Sequence, residues 1–251
     1  GKPPVTLMKS ILIVALSLFW FPFVTSIADD AKADIEHIES MLGKHLPDIE
    51  ITSLSTSPVA GVYELVSDGQ IYYVSADGAY IFDGDLIDME KRLNLTTARK
   101  GNLHLELINA VDEADMLVYD TPDESDRAIT VFTDVSCGYC RKLHAELDQL
   151  LDGGVRVRYL MFPRAGLGSQ AHKDLESVWC AENPQDAMTV AKAGGAIDPE
   201  SCANPIESHV ELAQKVGLRG TPLIYLDNGQ MIPGYRSAQE LVQMINSSEP
   251  M

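Results

Sequence analysis

Two of the four cysteines stand close together, in the segment Cys137-Gly138-Tyr139-Cys140. Two intervening residues bring the second sulfur within disulfide-bonding reach of the first. Only a thiolate attacks a disulfide, and a second thiol nearby can displace the product of that attack. We therefore predict that Cys137 is the nucleophile of a disulfide exchange and that Cys140 resolves the mixed disulfide.

The pair lies where a predicted strand meets a predicted helix. Ala128–Thr133 is a short apolar run typical of a strand, and Arg141–Leu151 carries leucines at helical spacing. Apolar residues then alternate from Val155 to Met161, which predicts a second strand, parallel to the first. The free amides and positive dipole end of the helix would stabilise a thiolate on Cys137.

The C-terminal residues predict the remaining elements of this domain. Leu223–Leu226 and Met231–Ile232 flank Asp227-Asn228-Gly229 as a hairpin. Ser237 with Glu240 forms a capping box before a last helix. The order strand–helix–strand, helices, strand–strand–helix is that of a thioredoxin-like fold.

A proline stands directly before the first strand of this hairpin, as Thr221-Pro222. Proline is tolerated at a first strand position, so one interpretation is that Pro222 only marks the start of the strand. The alternative is a cis-proline loop that faces the two thiols and pairs through its free backbone groups with an extended peptide. The residues alone do not decide between the two.

The N-terminal half predicts a smaller unit. Apolar residues between Ile35 and Leu46 follow helical spacing, and three β-rich runs follow, separated by Asp68-Gly69 and Asp77-Gly78. These runs are Val62–Val66, Ile71–Val74 and Tyr80–Phe82. One helix and a three-stranded meander bury too little apolar surface to be stable alone, so we expect this unit to pair with another.

From Leu86 to Leu117 the pattern is helical again, and Gly101 could divide this connecting helix. The chain is long for one domain, so we expect two. The predicted boundaries are 1–28 for a signal peptide, 29–91 for the N-terminal domain, 92–118 for the linker helix and 119–251 for the catalytic domain, with a helical insertion at about 166–218.

The first residues are typical of a secretory signal peptide. Met8-Lys9 precedes an almost uninterrupted apolar run from Ile11 to Val24, and Ser26-Ile27-Ala28 follows. We predict cleavage after Ala28, with residues 1–7 as extra upstream sequence. A membrane anchor is the alternative, but a spanning helix needs about 20 apolar residues, and Pro22 interrupts a shorter stretch.

The chain is strongly acidic. Removing residues 1–28 deletes Lys2 and Lys9 and no acid, so the formal net charge moves from -18 to -20. Such a charge disfavours nucleic acid and anionic membrane surfaces as partners. Hydrophobic residues at 45% and charged residues at 22% are ordinary for a globular protein, so we expect the bulk of the chain to fold.

The other two cysteines, Cys180 and Cys202, are 22 positions apart. In the oxidising compartment that the export signal implies, they can form a structural disulfide, and a second redox-active pair is the alternative. A zinc site would require a second close cysteine pair or suitably spaced histidines, which the sequence lacks. We expect no metal and no cofactor.

Several motifs resemble those of one enzyme family. Phe132-Thr133-Asp134 leads into the C-x-x-C segment, and Lys142-Leu143-His144 follows it. Further matching segments come in the family's order: Pro58-Val59-Ala60-Gly61, Phe162-Pro163-Arg164-Ala165-Gly166-Leu167, Val178-Trp179-Cys180-Ala181, Gly220-Thr221-Pro222 and Pro233-Gly234-Tyr235. Over nearly the whole mature chain, the sequence is similar to the periplasmic disulfide isomerases of the DsbC type.

The resemblance implies an α+β fold in which a small cystatin-like dimerisation domain and a linker helix precede an α/β, thioredoxin-like catalytic domain with a helical insertion. It implies a V-shaped homodimer, paired through the N-terminal domains, whose inner cleft binds misfolded exported proteins. A membrane reductase of the DsbD type would keep the dithiol reduced in the periplasm.

The resemblance also implies roles for single residues. Thr221 and a cis Pro222 would touch the active-site disulfide and, with Gly138 and Tyr139, bind substrate. Cys180 and Cys202 would form the structural bridge. The segment from Leu86 to Gly101 is several residues longer than the family's usual linker, which leaves the angle between the domains open. His144 lies two helical turns after Cys137, about 10 Å along the axis, and we expect a surface histidine.

Four functions are compatible with these features. The first is an isomerase, which requires a reduced dithiol at rest and which we favour, with chaperone activity beside it. The second is an oxidant of the DsbA type, which requires a disulfide at rest and would not need the N-terminal domain. The others are a holdase chaperone that uses the dithiol little and a sulfenic acid reductase of the DsbG type.

Overall fold

A computed structural model describes residues 1, 27–123 and 125–247 of the chain. The predicted signal peptide therefore lies almost wholly outside the described residues. Within them, no helix combines the length and the apolar character that a membrane crossing requires.

The described chain contains both helices and strands. The helices are α1 Ile27–His45, α2 Leu95–Asn109, α3 Gly138–His144, α4 Leu147–Asp152, α5 Gln170–Cys180, α6 Pro184–Lys192, α7 Ile206–Lys215 and α8 Ala238–Ser247. The strands are β1 Ser53–Thr56, β2 Val62–Ser67, β3 Gln70–Ser75, β4 Ile81–Phe82, β5 Ile87–Asp88, β6 Leu93–Asn94, β7 Leu117–Tyr119, β8 Ala128–Thr133, β9 Arg156–Met161, β10 Leu223–Leu226 and β11 Met231–Pro233.

The N-terminal domain is an antiparallel sheet in the order β1-β2-β3-β4, with α1 packed against it. Ile38 and Leu42 of α1 are buried against Leu65 and Val74. The predicted hairpin at Asp68-Gly69 is confirmed, and both turn residues have the positive φ that matches the twist of a two-residue β-turn. Strand β1 adds a fourth strand that the polar run Ser53–Thr56 did not predict.

The linker helix is shorter than the predicted 92–118. Leu93-Asn94 pairs with Ile87-Asp88 in a small hairpin, and the Asn94 side chain accepts a hydrogen bond from the backbone N–H of Thr97, which starts α2. The helix ends at Asn109, and Leu117–Tyr119 belongs to the catalytic sheet as β7. The long segment after Leu86 thus contains a hairpin before the helix begins.

The catalytic domain is a mixed sheet in the order β11-β10-β8-β9-β7. The predicted parallel pairing of β8 with β9 and the predicted β10–β11 hairpin are both confirmed. The capping box is confirmed as well, because the Glu240 carboxylate accepts from Ser237 N–H and the Ser237 hydroxyl accepts from Glu240 N–H. Helices cover both faces of the sheet and bury the core between them.

Helix α2 packs directly on the catalytic domain. Ile108 is fully buried against Phe132 and Leu160, and Nδ1 of the buried His104 lies 3.0 Å from the hydroxyl of Tyr225. Gly101 does not interrupt the helix but lies at its closest approach to the β10–β11 turn. The linker is therefore part of the catalytic domain's packing and not a free spacer.

Candidate functional site

The two thiols lie at the start of α3, directly after strand β8. Cys137 is the N-cap residue of this helix, and Cys140 is in its first turn. Both side chains are buried, with 3% and 1% of their surface exposed, while the intervening Gly138 and Tyr139 face solvent. The sulfurs thus point into the protein from a loop that is itself at the surface.

The buried carboxylate of Asp134 fixes the loop that carries Cys137. It accepts hydrogen bonds from the backbone N–H and hydroxyl of Ser136, both at 2.7 Å. It also accepts from the backbone N–H of Arg164 at 2.9 Å and from its Nε at 3.4 Å. Because the strand end and the Arg164 loop share one carboxylate, the position of the first thiol is set before substrate arrives.

The loop before β10 closes the other side of the site. The Thr221–Pro222 peptide bond is cis, and the Cys137 thiol donates to the carbonyl oxygen of Thr221 at 3.3 Å. Within the described residues, the buried Thr221 hydroxyl has no hydrogen-bond partner of its own. Its proton is therefore available to a thiolate on Cys137.

The two thiols differ in acidity. Burial alone would raise the pKa of Cys137. Its thiolate form, however, can accept hydrogen bonds from the Thr221 hydroxyl, from the backbone N–H and thiol of Cys140 and from the N–H of Tyr139, and these lower the pKa below the ordinary value. Burial raises the pKa of Cys140, although the positive charge of Lys192 partly opposes this. Cys137 is thus the better nucleophile, and Cys140 keeps its proton until it is needed.

Tyr139 and Tyr235 form an aromatic surface beside the thiols. Tyr139 is 64% exposed and stacks on Tyr235, with ring centroids 6.2 Å apart. The Tyr235 hydroxyl donates to the Glu146 carboxylate at 2.5 Å, and the same carboxylate accepts from the backbone N–H of Ala238 at 2.7 Å. Helix α8 therefore holds the aromatic pair in place.

The expectation for His144 is wrong, because its side chain is buried and only 5% exposed. Thr189 gives its hydroxyl proton to the carbonyl of Gln185, so His144 Nε2–H donates to Thr189 Oγ1 and Nδ1 accepts from Tyr159, both at 3.0 Å. Burial lowers the pKa of His144 to about 4. The relevant spacing is the four residues from Cys140, which put both side chains on the inner face of α3.

Sequence reasoning missed Lys192, whose side chain reaches the base of the site from α6. It is 4% exposed, and its Nζ donates to Thr133 Oγ1 at 2.5 Å and to the carbonyl of Asp134 at 3.0 Å. A signal was present, because Lys192 continues the buried face of α6 that Met188 and Ala191 form. A lysine in a last helical turn is more often a partner of the helix dipole.

The remaining cysteines lie in the helical insertion. Cys180, the last residue of α5, forms a disulfide with Cys202, which precedes α7. This bond ties the insertion together away from Cys137 and Cys140, which are free thiols. Among the described residues, no three His, Cys, Asp or Glu side chains are grouped so that they could hold a metal ion.

Comparisons with known proteins agree with this arrangement. Residues 118–249 match the family described as a thioredoxin-like domain, and residues 26–97 match the disulfide bond isomerase protein N-terminal domain. A crystal structure of Proteus mirabilis ScsC in a transitional conformation has a TM-score of 0.50 at 18% identity, over 59% of this chain and 79% of that one, which is a likeness of fold alone.

Curated relatives match over most of the chain. The thiol:disulfide interchange protein DsbC of Salmonella typhimurium is 38% identical over 219 residues, which cover 87% of this chain and 90% of the relative. DsbC of Escherichia coli K12 is 34% identical over 231 residues, or 92% and 95% of the two chains. With the dithiol at the start of α3 and both domains matched, this chain belongs to the DsbC family of thiol:disulfide interchange proteins.

Proposed function

We propose that this protein is a thiol-disulfide isomerase that rearranges incorrect disulfides in exported proteins, with Cys137 as the nucleophile. The observation that carries the proposal is the unequal acidity of the two thiols. Hydrogen bonds hold the pKa of Cys137 below its ordinary value, and burial holds the pKa of Cys140 above it. A reduced pair of this kind attacks a disulfide with one sulfur and keeps the other in reserve.

The reaction conserves thiols and disulfides. The Cys137 thiolate attacks one sulfur of a wrong disulfide, so a mixed disulfide forms and one substrate cysteine leaves as a thiolate. Another substrate thiolate then attacks the mixed disulfide, which forms the new bond and returns Cys137 as it began. If no substrate thiol arrives, Cys140 attacks Cys137, and the enzyme leaves oxidised with the substrate reduced.

We assign substrate binding to Thr221 and Pro222, with Gly138 and Tyr139 at the opposite side. Thr221 and Pro222 line a cavity of about 480 Å³ that extends to Lys100 of α2. Its walls are mainly apolar, so the side chains of a partly unfolded segment would gain free energy by entering it. This cavity also supports a chaperone activity beside the exchange reaction.

We propose a homodimer through the N-terminal domain. The edge strand β4 of its sheet and the residue before it carry large apolar side chains in solvent, with Tyr80 66%, Ile81 45% and Phe82 50% exposed. An exposed edge strand with such residues is a site for pairing with another chain. A second copy would cover this surface and give the small domain the partner that its size requires.

We further propose that the protein works in the periplasm after cleavage of the signal peptide at Ala28. The Cys180–Cys202 disulfide supports an oxidising compartment. In such a compartment, the free Cys137 and Cys140 would need an external source of electrons, for which a membrane reductase of the DsbD type is the candidate.

The test is the reactivation of a scrambled, disulfide-rich ribonuclease in glutathione buffer. The protein beginning at Asp29 should restore activity, Cys137→Ala should not, and Cys140→Ala should retain part of it. Suppression of aggregation is measured on the same samples. If the wild-type protein suppresses aggregation but never restores activity, a chaperone replaces the isomerase.

A further inference from the structure

Lys192 is a buried amine at the base of the dithiol site. Only 4% of it is exposed, yet no carboxylate within the described residues forms a salt bridge with it. Within the described residues, the acceptors of its hydrogen bonds are neutral, the Thr133 hydroxyl and the Asp134 carbonyl. A buried ammonium without a counter-charge is costly, so the site favours either its neutral form or an anion nearby.

The groups around Lys192 identify that anion. The Asp134 carboxylate is directed to Ser136 and Arg164, and α3 presents Cys140, the cation Arg141 and the neutral His144. From β9, the ring of Tyr159 lies 5.7 Å from Nζ, with a hydroxyl that donates to His144. Among these groups, the thiols are the acids that gain and lose protons during the reaction.

Geometry and charge link Lys192 to the thiols. Its Nζ and the backbone N–H of Cys137 donate to the same carbonyl oxygen, that of Asp134, at 3.0 and 3.2 Å. Burial lowers the pKa of Lys192 to about 8, while negative charge on Cys140, Asp134 and Cys137 acts to raise it. When Cys137 is bonded to substrate, its negative charge is gone. The amine then loses its proton more readily, at the stage when Cys140 must become a thiolate.

A route for protons reaches Lys192 from outside. A cavity of about 250 Å³ on the side of α3 facing α6 is lined by Lys192, Thr189 and Ala193, and by the exposed Arg141 and Asp148. Cys140 itself is 1% exposed and has little direct access to water. Lys192 therefore lines the solvent-facing cavity, and its pKa also depends on the charge of Cys140.

We propose that Lys192 takes the proton from Cys140 when the mixed disulfide is resolved, and later returns it to solvent through this cavity. The inference rests on the proposed function, since it requires a mixed disulfide on Cys137. The neutral amine accepts the thiol proton, and the Cys140 thiolate attacks Cys137. The Cys137–Cys140 disulfide forms, the bond to substrate breaks, and the substrate sulfur leaves with the electron pair. The substrate is reduced, the enzyme is oxidised, and the ammonium releases its proton to water.

The test measures the two steps separately with oxidised glutathione. Formation of the mixed disulfide is followed in the Cys140→Ala background, and release of glutathione is followed with Cys140 present, by acid quench and mass spectrometry. Lys192→Met removes the amine, and Lys192→Arg keeps the charge but cannot give up its proton. Lys173→Met, which removes an exposed lysine of the same insertion, is the control.

Both Lys192 variants should slow release on the order of 100-fold, as expected for loss of a positioned proton acceptor. Formation should change far less, and the control should match wild type. For wild type we expect the release rate to rise with pH as the amine of the mixed disulfide loses its proton, below its pKa of about 8 in the reduced protein, and the variants should lack this rise. Normal release in Lys192→Arg would show that only the positive charge at this position matters, and it would overturn the proposal. Normal release in both variants would overturn it as well. If wild type forms no mixed disulfide at all, the proposed function fails instead.

A measurement on the wild-type protein decides the matter if the variants do not fold. The pKa of Lys192 is followed by nuclear magnetic resonance of its side chain in the reduced and oxidised forms. It should be lower in the oxidised form, because both thiols are then uncharged. Equal values in the two forms would show that the amine does not respond to the thiols, and the proposal would fall.

Discussion

Replacing Gly101 with alanine tests whether the linker helix is fixed to the catalytic domain. In an isolated helix this change is favourable by about 1 kcal/mol, because alanine has the higher helix propensity. Here the new methyl carbon would overlap the carbonyl oxygen of Gly229, far inside the 3.0 Å limit for such contacts. That neighbour is backbone and cannot rotate away, so the helix or the turn must move.

The magnitude follows from the contacts that such a movement disturbs. Overpacking typically costs about 1–3 kcal/mol. A shift of α2 also lengthens the hydrogen bond between His104 and Tyr225, worth about 1 kcal/mol. After the gain in propensity is subtracted, we expect Gly101→Ala to lower the free energy of unfolding of the catalytic domain by about 1–3 kcal/mol.

Urea unfolding followed by tryptophan fluorescence measures this change, because Trp179 is the single tryptophan after residue 28. Gly43→Ala is the matched control, since Gly43 also lies in a helix but its added carbon would meet nothing within 4 Å. By circular dichroism, this control should stabilise the N-terminal domain by up to about 1 kcal/mol. If Gly101→Ala proves as stable as wild type, α2 does not pack against the β10–β11 turn as described.

Three further predictions concern the site and its support. Thr221→Val should raise the pKa of Cys137 by removing a hydrogen bond to the thiolate. Alkylation of Cys137 by iodoacetamide at mildly acidic pH should then slow about tenfold. An unchanged rate would show that the Thr221 hydroxyl does not stabilise the thiolate. The double variant Cys180→Ala, Cys202→Ala should lose about 3 kcal/mol in urea unfolding, from the entropy of the closed loop, and equal stability would contradict it. Because His144 protonates near pH 6.5 when unfolded but near 4 when folded, stability should be complete above pH 6.5 and fall toward pH 4. His144→Gln should flatten this fall, and an identical pH slope would refute the assignment.

Local patterns were sufficient to predict much of the catalytic domain. The strand Ala128–Thr133 occurs at the predicted residues. A central strand that is buried on both faces consists of a nearly unbroken run of apolar residues, and this run is visible in the sequence. Asp227-Asn228-Gly229 and the Ser237–Glu240 box encode their turn and cap in short-range chemistry. The family resemblance added the expectations that a single sequence cannot carry, such as the pairing of domains between chains.

The misses have a common physical cause, which is that burial of polar groups depends on distant partners. His144 and Lys192 look like surface residues, and only Tyr159, Thr189 and the end of β8 make their burial possible. Leu117–Tyr119 looked like the end of a helix, but pairing with β9 overrides that local preference. None of these partners lies within the same stretch of sequence.

The recessed position of Cys137 makes the rate of exchange depend on how completely the substrate protein has folded. A sulfur that is 3% exposed cannot be approached by a disulfide held rigidly inside a finished protein. In the substrate-binding mode that we propose, a client segment must first become extended along the Thr221 loop, and only a chain that is still flexible can do so without unfolding. Exchange therefore slows as the client matures, and correct disulfides are spared without being recognised individually.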